Sequence, residues 1–159
     1  MILNLYLGGG LFNAAERLHN LYLEKYLKEF GCYHIILPQR RALAFFDGEK
    51  FDVDAIAADC AQSCSDENVL YVGSLDGSDA DSGGSVEYGI TIFATGRAVT
   101  YRTDFRTALD RELGVNGMFR VKRTTLVYHP CFITELSEVE DYYRALAKKL
   151  HEAIVELHK

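Results

Sequence analysis

Short runs of apolar residues alternate along the chain with longer segments in which apolar residues recur every three or four positions. A run of four to eight apolar residues is typical of a buried strand, whereas the three-to-four spacing is typical of a helix with one apolar face. The runs predict five strands, at residues 2–7, 33–37, 68–75, 98–101 and 124–128. The spaced segments predict helices at residues 11–30, 51–65, 85–95 and from about 137 to 157.

Residues that end or begin helices support these boundaries. Gly31 and Gly96 follow two of the helices, and Ser137 with Glu140 forms a capping-box pattern before the last one. Residues 102–123 are mixed polar and predict a loop with one short helical turn. Strands that alternate with helices pair in parallel through right-handed crossovers. We therefore predict a single α/β domain over residues 1–159, with a five-stranded, doubly wound parallel sheet flanked by helices.

Charge and cysteine content narrow the partners and the compartment. The 159 residues carry 17 Lys and Arg against 23 Asp and Glu, a net charge of −6, which argues against nucleic-acid and anionic-membrane partners. The chain has neither the apolar run of roughly 20 residues that a spanning helix needs nor the basic start of a signal peptide. Its four cysteines show no C-x-x-C pair and no ligand pattern, so we expect free thiols, no metal and a cytoplasmic location.

The first candidate site is the turn after the first strand, Gly8-Gly9-Gly10. In a dinucleotide fingerprint a third glycine would stand where this chain has Asn13, and an acidic residue would end the second strand, where it has Gln39. A phosphate-binding P-loop would need Gly-Lys-Ser/Thr, which is absent. The turn predicts a backbone that a ligand can approach closely, or one that simply lets the strand and helix pack.

The second candidate is the loop after the third strand, where four acidic residues fall within twelve positions. A calcium loop that starts at Asp76 would put Ala80 at a ligand position and Asp81 where glycine is required. The register that starts at Asp79 ends on Ile90 instead of an acidic residue. The loop is therefore either a solvated acidic surface or part of a site for another kind of ligand.

Glu87 is the candidate nucleophile of that loop. We expect it in the first turn of the helix that starts at Ser85, where the helix dipole favours an ionised carboxylate. An ionised carboxylate held beside a ligand can act as a nucleophile, and Asp81 lies close enough in sequence to reach the same ligand. Two carboxyl groups at one glycosidic bond are the arrangement of retaining glycoside chemistry. The negative charge favours a neutral sugar or nucleoside over a phosphorylated ligand.

Six segments, in this order, resemble nucleoside 2-deoxyribosyltransferases, and the resemblance extends over residues 5–118. The segments are Y-L-G-G-G-L-F at 6–12, L-P-Q at 37–39, L-D-G-S-D-A-D-S-G at 75–83, E-Y-G at 87–89, Y-R-T-D-F-R at 101–106 and N-G-M at 116–118. The family has a fold like the one predicted here, a flavodoxin-like domain. Its enzymes move 2-deoxyribose from one nucleobase to another through a covalent deoxyribosyl-glutamate, with retention of configuration.

The resemblance also implies roles for individual residues. Glu87 would be the nucleophile, Tyr6 would orient it, and Asp59 would exchange a proton with the base. Asn116 would reach the site of a neighbouring subunit, which implies a homodimer or a higher homo-oligomer. The substrate-binding positions implied are Gly9, Phe12, Gln39, Asp81, Gly83, Asn116 and Met118. The expected substrates are 2′-deoxyribonucleosides and free nucleobases, and no cofactor is expected.

The preference for deoxy sugars has a chemical reason. The transition state resembles an oxocarbenium ion, which forms more readily when no electron-withdrawing 2′-hydroxyl is present. A residue close to C2′, either Gly9 or Leu11, would exclude ribosides sterically.

Two other functions fit the same pattern. A related hydrolase that cleaves deoxynucleoside 5′-monophosphates would use Ser82 and Ser85 toward the phosphate, against the charge of the acidic loop. A non-catalytic nucleotide-binding module would not need Glu87 or Tyr6. None of the five histidines shows a triad or ligand spacing, so we expect no catalytic histidine. Arg102 and Arg106, on either side of Asp104, predict a salt-bridged loop or, alternatively, a substrate or interface contact.

Overall fold

A parallel sheet forms the centre of the molecule. The computed structural model describes residues 2–106, 114–121 and 123–158. The strands are β1 (Leu3–Gly8), β2 (Tyr33–Ile36), β3 (Val69–Ser74), β4 (Ala98–Arg102) and β5 (Thr124–Tyr128). They pair in the order β2-β1-β3-β4-β5, and every pairing is parallel. This order is that of flavodoxin-like sheets, so the predicted fold class and all five strands are confirmed.

Helices cover both faces of the sheet. They are α1 (Ala14–Lys28), α2 (Pro38–Arg41), α3 (Val53–Ser65), α4 (Ser82–Thr95) and α5 (Val139–Leu157). Helix α1 packs against α5, and α3 packs against α4. Alternate strand residues point to opposite faces, so the core has two halves. Leu5 and Leu7 belong to the half under α1 and α5, whereas Tyr6 belongs to the half under α3 and α4.

Two helices start at residues other than the predicted ones, because side-chain caps fix where they begin. Helix α1 begins at Ala14 because the Asn13 side chain accepts the Glu16 N–H at 3.0 Å, completing a capping box. Helix α4 begins at Ser82, three residues before the predicted Ser85, because the Asp81 side chain accepts the Gly84 N–H at 2.8 Å. Periodicity locates the apolar face of a helix but not the residue that caps it.

The start of the last helix was also predicted wrongly. The capping box there is formed by Glu135 and Glu138 around a 3₁₀ turn, Leu136–Glu138, and not by Ser137 with Glu140. Helix α2 and the 3₁₀ turn Ala42–Phe45 after it were not predicted, because four-residue elements are too short to show a period.

The polar segment after β4 was predicted to be a loop with one short helical turn, and its described residues have that structure. It contains a 3₁₀ turn at Gly117–Arg120, while residues 107–113 and 122 lie outside the described residues. In the part of the chain that the structure describes, no helix has both the length and the apolar character needed to cross a bilayer.

Candidate active site

The centre of the candidate site is a hydrogen bond between β1 and α4. The Tyr6 hydroxyl donates to Oε1 of Glu87 at 2.7 Å, joining residues 81 positions apart in the chain. Tyr6 is 1% exposed and points to the α3–α4 side of the sheet, directly before the Gly8–Gly10 turn. The predicted partnership of Tyr6 and Glu87 therefore has a direct contact, at the carboxyl ends of the strands where ligands bind in doubly wound sheets.

The environment of Glu87 differs from the predicted one. Glu87 is the sixth residue of α4 and so lies in its second turn, not its first, beyond the range over which the helix dipole acts strongly. Burial raises the pKa of its carboxyl to about 7, the Tyr6 hydrogen bond works against that rise, and the charge of Asp81 adds to it. The expectation of a carboxylate stabilised by the helix dipole was wrong, and burial makes this carboxyl harder to ionise than an ordinary glutamate.

Tyr6 is held in its neutral, donating form. Burial, followed by the nearby negative charge of Glu87, raises the pKa of the phenol far above its ordinary value. A phenol that does not ionise remains a hydrogen-bond donor throughout the physiological pH range. It can therefore donate a hydrogen bond to the Glu87 carboxylate without itself becoming a second negative charge beside it.

A tyrosine that sequence reasoning missed brings α4 close to the sheet. The Tyr71 ring lies across Gly8 and Gly73, where an added Cβ would stand 2.4 Å and 2.1 Å from its atoms. Its hydroxyl donates to the carbonyl oxygen of Gly84 at 3.0 Å, inside the first turn of α4. In the sequence Tyr71 is one apolar residue in an apolar strand. The only feature that could have drawn attention to it is the presence of Gly8 and Gly73, which leave space for its ring.

The turn after β1 is glycine for a steric reason. Gly9 has φ +127, a conformation that side chains disfavour, and an added Cβ would lie 2.9 Å from Cβ of Ser74. The Gly9 backbone also faces Gly84, whose added Cβ would stand 3.5 Å from it. The turn and the start of α4 are thus in close backbone contact, which glycine at position 9 allows.

The acidic loop is anchored by Asp76. Its carboxylate accepts the N–H and the hydroxyl of Thr103, both at 2.6 Å, and the N–H of Asp104 at 2.8 Å. Arg102, 2% exposed, donates to the carbonyl oxygens of Leu75 and Gly77 from beneath the loop. Asp76 therefore has a structural role.

The predicted salt-bridged loop is confirmed. The Arg106 guanidinium is ion-paired with Asp104. That pair holds the pKa of the Asp104 carboxyl well below its usual range. The same carboxylate accepts the Gly77 N–H at 3.2 Å, which ties the acidic loop to the segment after β4.

Two cavities flank the acidic loop. A cavity of about 550 Å³ opens on the α1 side, and its lining includes Gly10, His19 and Asp81. A cavity of about 340 Å³ opens on the other side, and its lining includes Ser82 and Asn116. Each has room for a sugar or a base, and Asp79 lines both.

Three of the predicted binding residues lie on or near these cavities. Asp81 is the N-cap of α4, and an added Cβ on Gly83 would stand 3.1 Å from its Oδ2. Asn116 accepts the Met118 N–H at 3.0 Å through its own side chain, while the Met118 side chain is 72% exposed. The structure thus brings Asp81, Gly83 and Asn116 to one end of α4.

Two other predicted residues have side chains occupied elsewhere. Gln39 is 6% exposed, accepts from the Asn20 amide at 3.0 Å and donates to the Arg17 carbonyl at 3.2 Å. Asp59, on α3, is ion-paired with Arg41. Neither contact joins these residues to the Tyr6–Glu87 pair.

Phe12, the remaining predicted residue, is 79% exposed.

Among the described residues no group of three or more His, Cys, Asp and Glu side chains has the arrangement of a metal site.

Comparison with known proteins identifies the fold. No family model and no curated protein sequence matches the chain. A conserved protein from Enterococcus faecalis V583 superimposes with a TM-score of 0.61 at 21% identity, covering 92% of this chain and 99% of its own. A 2-deoxyribosyltransferase from Bacillus psychrosaccharolyticus superimposes with a TM-score of 0.60 at 17% identity, covering 91% and 95%.

A third structure shares the fold and carries a different proposed activity. A proposed quinone reductase from Klebsiella pneumoniae superimposes with a TM-score of 0.52 at 11% identity, covering 95% of this chain and 84% of its own. At such identities the likenesses establish a shared fold, and the activity has to be argued from the site.

Proposed function

We propose that this protein is a nucleoside 2-deoxyribosyltransferase, which moves 2-deoxyribose from one nucleobase to another with retention of configuration. The observation that carries the proposal is the 2.7 Å hydrogen bond from Tyr6 to Glu87, in a half-buried position beside the Gly8–Gly10 turn. A fold shared with a 2-deoxyribosyltransferase supports it.

In the first step the Glu87 carboxylate attacks C1′ of the deoxynucleoside. A C1′–O bond forms as the C1′–N bond breaks, and the electron pair of that bond leaves with the base, which takes up a proton. The Tyr6 hydroxyl holds Oε1, so Oε2 is the oxygen available for attack. Asp59 is the proposed group that exchanges the proton with the base.

In the second step a nitrogen of another base attacks C1′ from the opposite face. The C1′–O bond to Glu87 breaks, the carboxylate is regenerated, and the incoming base loses its proton. Two inversions at C1′ give net retention. A carboxyl with a pKa of about 7 is a more basic nucleophile than an ordinary glutamate, and it must be ionised to attack. The rate should therefore fall as the pH drops below 7.

The remaining roles follow from position. We assign Asp81 to the sugar hydroxyls, with Gly9, Phe12 and Gly83 lining the site. We assign Gln39 to the base, a contact that requires it to exchange one of its present partners. Asn116 and Met118 are assigned to a neighbouring subunit's site in a homodimer or higher homo-oligomer.

One observation favours a second function, hydrolysis of deoxynucleoside 5′-monophosphates. Ser82, Ser85 and Asn116 line one cavity, and hydroxyl and amide groups can donate to a phosphate. Asp79 lines the same cavity, and its charge opposes a phosphate there.

The deciding experiment compares a deoxynucleoside, and separately its 5′-monophosphate, incubated with and without a second nucleobase. We expect a new nucleoside to form only when the second base is present, and at least about a thousand-fold loss of this activity in Glu87→Ala. Glu49→Ala, at an exposed loop position, is the matched control and should keep full activity. Release of base from the monophosphate alone would support the hydrolase, and full transfer by Glu87→Ala would refute the assignment of Glu87 as the nucleophile.

A further inference from the structure

Three polar side chains on the α1 side of the sheet are hydrogen-bonded in a row that the mechanism described so far does not use. His19, on α1, contacts the Tyr143 hydroxyl through Nδ1 and the Tyr101 hydroxyl through Nε2, both at 2.9 Å. Tyr143 belongs to α5 and Tyr101 to β4. His19 and Tyr143 also line the cavity of about 550 Å³ that Asp81 lines. The row therefore runs from the core to the wall of the candidate site.

The buried end of the row decides which atoms carry the protons. Tyr101 is 1% exposed, and the acceptor that lies within hydrogen-bonding distance of its hydroxyl is Nε2 of His19. A buried hydroxyl proton needs an acceptor, so Tyr101 donates to Nε2. Burial lowers the pKa of His19 below its ordinary value, so at neutral pH the ring carries a single N–H proton. That proton is on Nδ1, because Nε2 accepts.

The direction of the second hydrogen bond follows from the first. With its proton on Nδ1, His19 donates to the hydroxyl oxygen of Tyr143. A tyrosine hydroxyl can accept one hydrogen bond and donate another at the same time. The hydroxyl proton of Tyr143 is not used within the row, so Tyr143 can donate it to a ligand in the cavity that it lines.

We propose that Tyr143 is a substrate-binding residue, which donates its hydroxyl proton to a sugar hydroxyl of the bound 2′-deoxyribonucleoside. His19 is the positioning residue that fixes the direction of this donor. The identity of the ligand rests on the proposed function, whereas the direction of the hydrogen bonds does not.

The other groups that line the cavity favour a hydroxyl as the group that Tyr143 binds. Asp79 and Asp81 belong to the same lining, and their ionised carboxylates accept hydrogen bonds but cannot donate them. The Oδ2 atom of Asp81 accepts the Gly84 N–H at 2.8 Å, so Oδ1 is the oxygen that remains for a ligand. A group that lies between a carboxylate and a phenolic donor must both donate and accept. A hydroxyl does both, whereas a carbonyl of a base only accepts and its amino group only donates.

The first test measures binding without turnover, in a Glu87→Gln background that removes the nucleophile. Isothermal titration calorimetry gives the affinity for a 2′-deoxyribonucleoside and for two analogues, one without the 3′-hydroxyl and one without the 5′-hydroxyl. Tyr143→Phe keeps the ring and removes the donor, and we expect it to weaken binding of the intact nucleoside by about three- to ten-fold. The loss should disappear with the analogue that lacks the contacted hydroxyl and remain with the other analogue.

The matched control is Tyr22→Phe. It removes the hydroxyl from the ring that is stacked on Tyr143 at 5.0 Å between centroids, and among the described residues Tyr22 is not part of the cavity lining. All three affinities should therefore stay unchanged in this variant. An equal loss with all three nucleosides in Tyr143→Phe, no loss with any of them, or no binding of the intact nucleoside would overturn the proposal.

The second test needs no ligand. Long-range ¹H–¹⁵N NMR of the His19 ring, with its signals identified by their loss in His19→Gln, should show the proton on Nδ1. A proton on Nε2 would mean that Tyr143 donates to His19, and it would overturn the proposal. Transfer of deoxyribose is measured separately. A protein that transfers none but loses affinity in the hydroxyl-dependent way would refute the proposed activity and support the role of Tyr143.

Discussion

Asp76 and Glu87 are two carboxylates at the same edge of the sheet, and their surroundings are opposite. Asp76 accepts three hydrogen bonds from the backbone and side chain of Thr103 and the backbone of Asp104. Glu87 accepts one from Tyr6 and faces the like charge of Asp81. A carboxylate that is fully hydrogen-bonded stabilises a loop, whereas one with few donors keeps a pKa of about 7 and remains reactive.

Removal of the anchoring carboxylate should have the largest effect on stability. Asp76→Ala leaves the Thr103 and Asp104 N–H groups without their partner, and we expect a loss of about 2–4 kcal/mol in the free energy of unfolding. Urea denaturation followed by circular dichroism measures it. Asp79→Ala, in the same loop but exposed, is the control and should change stability by less than about 0.5 kcal/mol. Equal losses in the two variants would show that Asp76 is not an anchor.

Replacement of the reactive carboxylate, Glu87, should stabilise the protein at high pH, whereas replacement of Asp76 should destabilise it. The pKa of Glu87 is raised from 4.5 to about 7 by folding, so its stabilising contribution is present below pH 4.5 and is lost as the pH rises through 7. Glu87→Gln removes this loss, and at pH 8 it should be more stable than wild type by roughly 1–3 kcal/mol, with little difference near pH 4. The measurement is thermal or urea unfolding across that pH range. A difference that does not depend on pH would contradict the raised pKa.

The exposed ion pair should have the smallest effect. Arg106→Ala removes the guanidinium beside Asp104, so the pKa of that carboxyl should rise toward its ordinary value, as an NMR titration would show. The free energy of unfolding should change little, because an exposed ion pair is weak and is screened by salt. The Gly77 N–H also still donates to Asp104 in this variant. A large destabilisation that persists at high salt would mean that the pair is as structural as Asp76.

The candidate site was predictable in its residue types more than in its electrostatics. The resemblance to nucleoside 2-deoxyribosyltransferases implied Glu87 as a nucleophile and Tyr6 as its partner, and the structure places the two in contact. The state of Glu87 was not predictable, because three residues of error in the helix start changed its place in the helix dipole, and burial depends on α3 and β3.

The sequence by itself determined which segments form strands and helices, the parallel pairing of the sheet and the glycines at its carboxyl edge, because periodicity and chain connectivity are local properties. Tertiary structure alone decided which carboxylate anchors a loop and which stays reactive. Asp76 meets its donors from a segment 27 positions away, and Glu87 meets Tyr6 from 81 positions away. The pKa of a carboxyl group depends on the donors and charges that folding brings close to it. A sequence pattern does not show which distant residues become those neighbours.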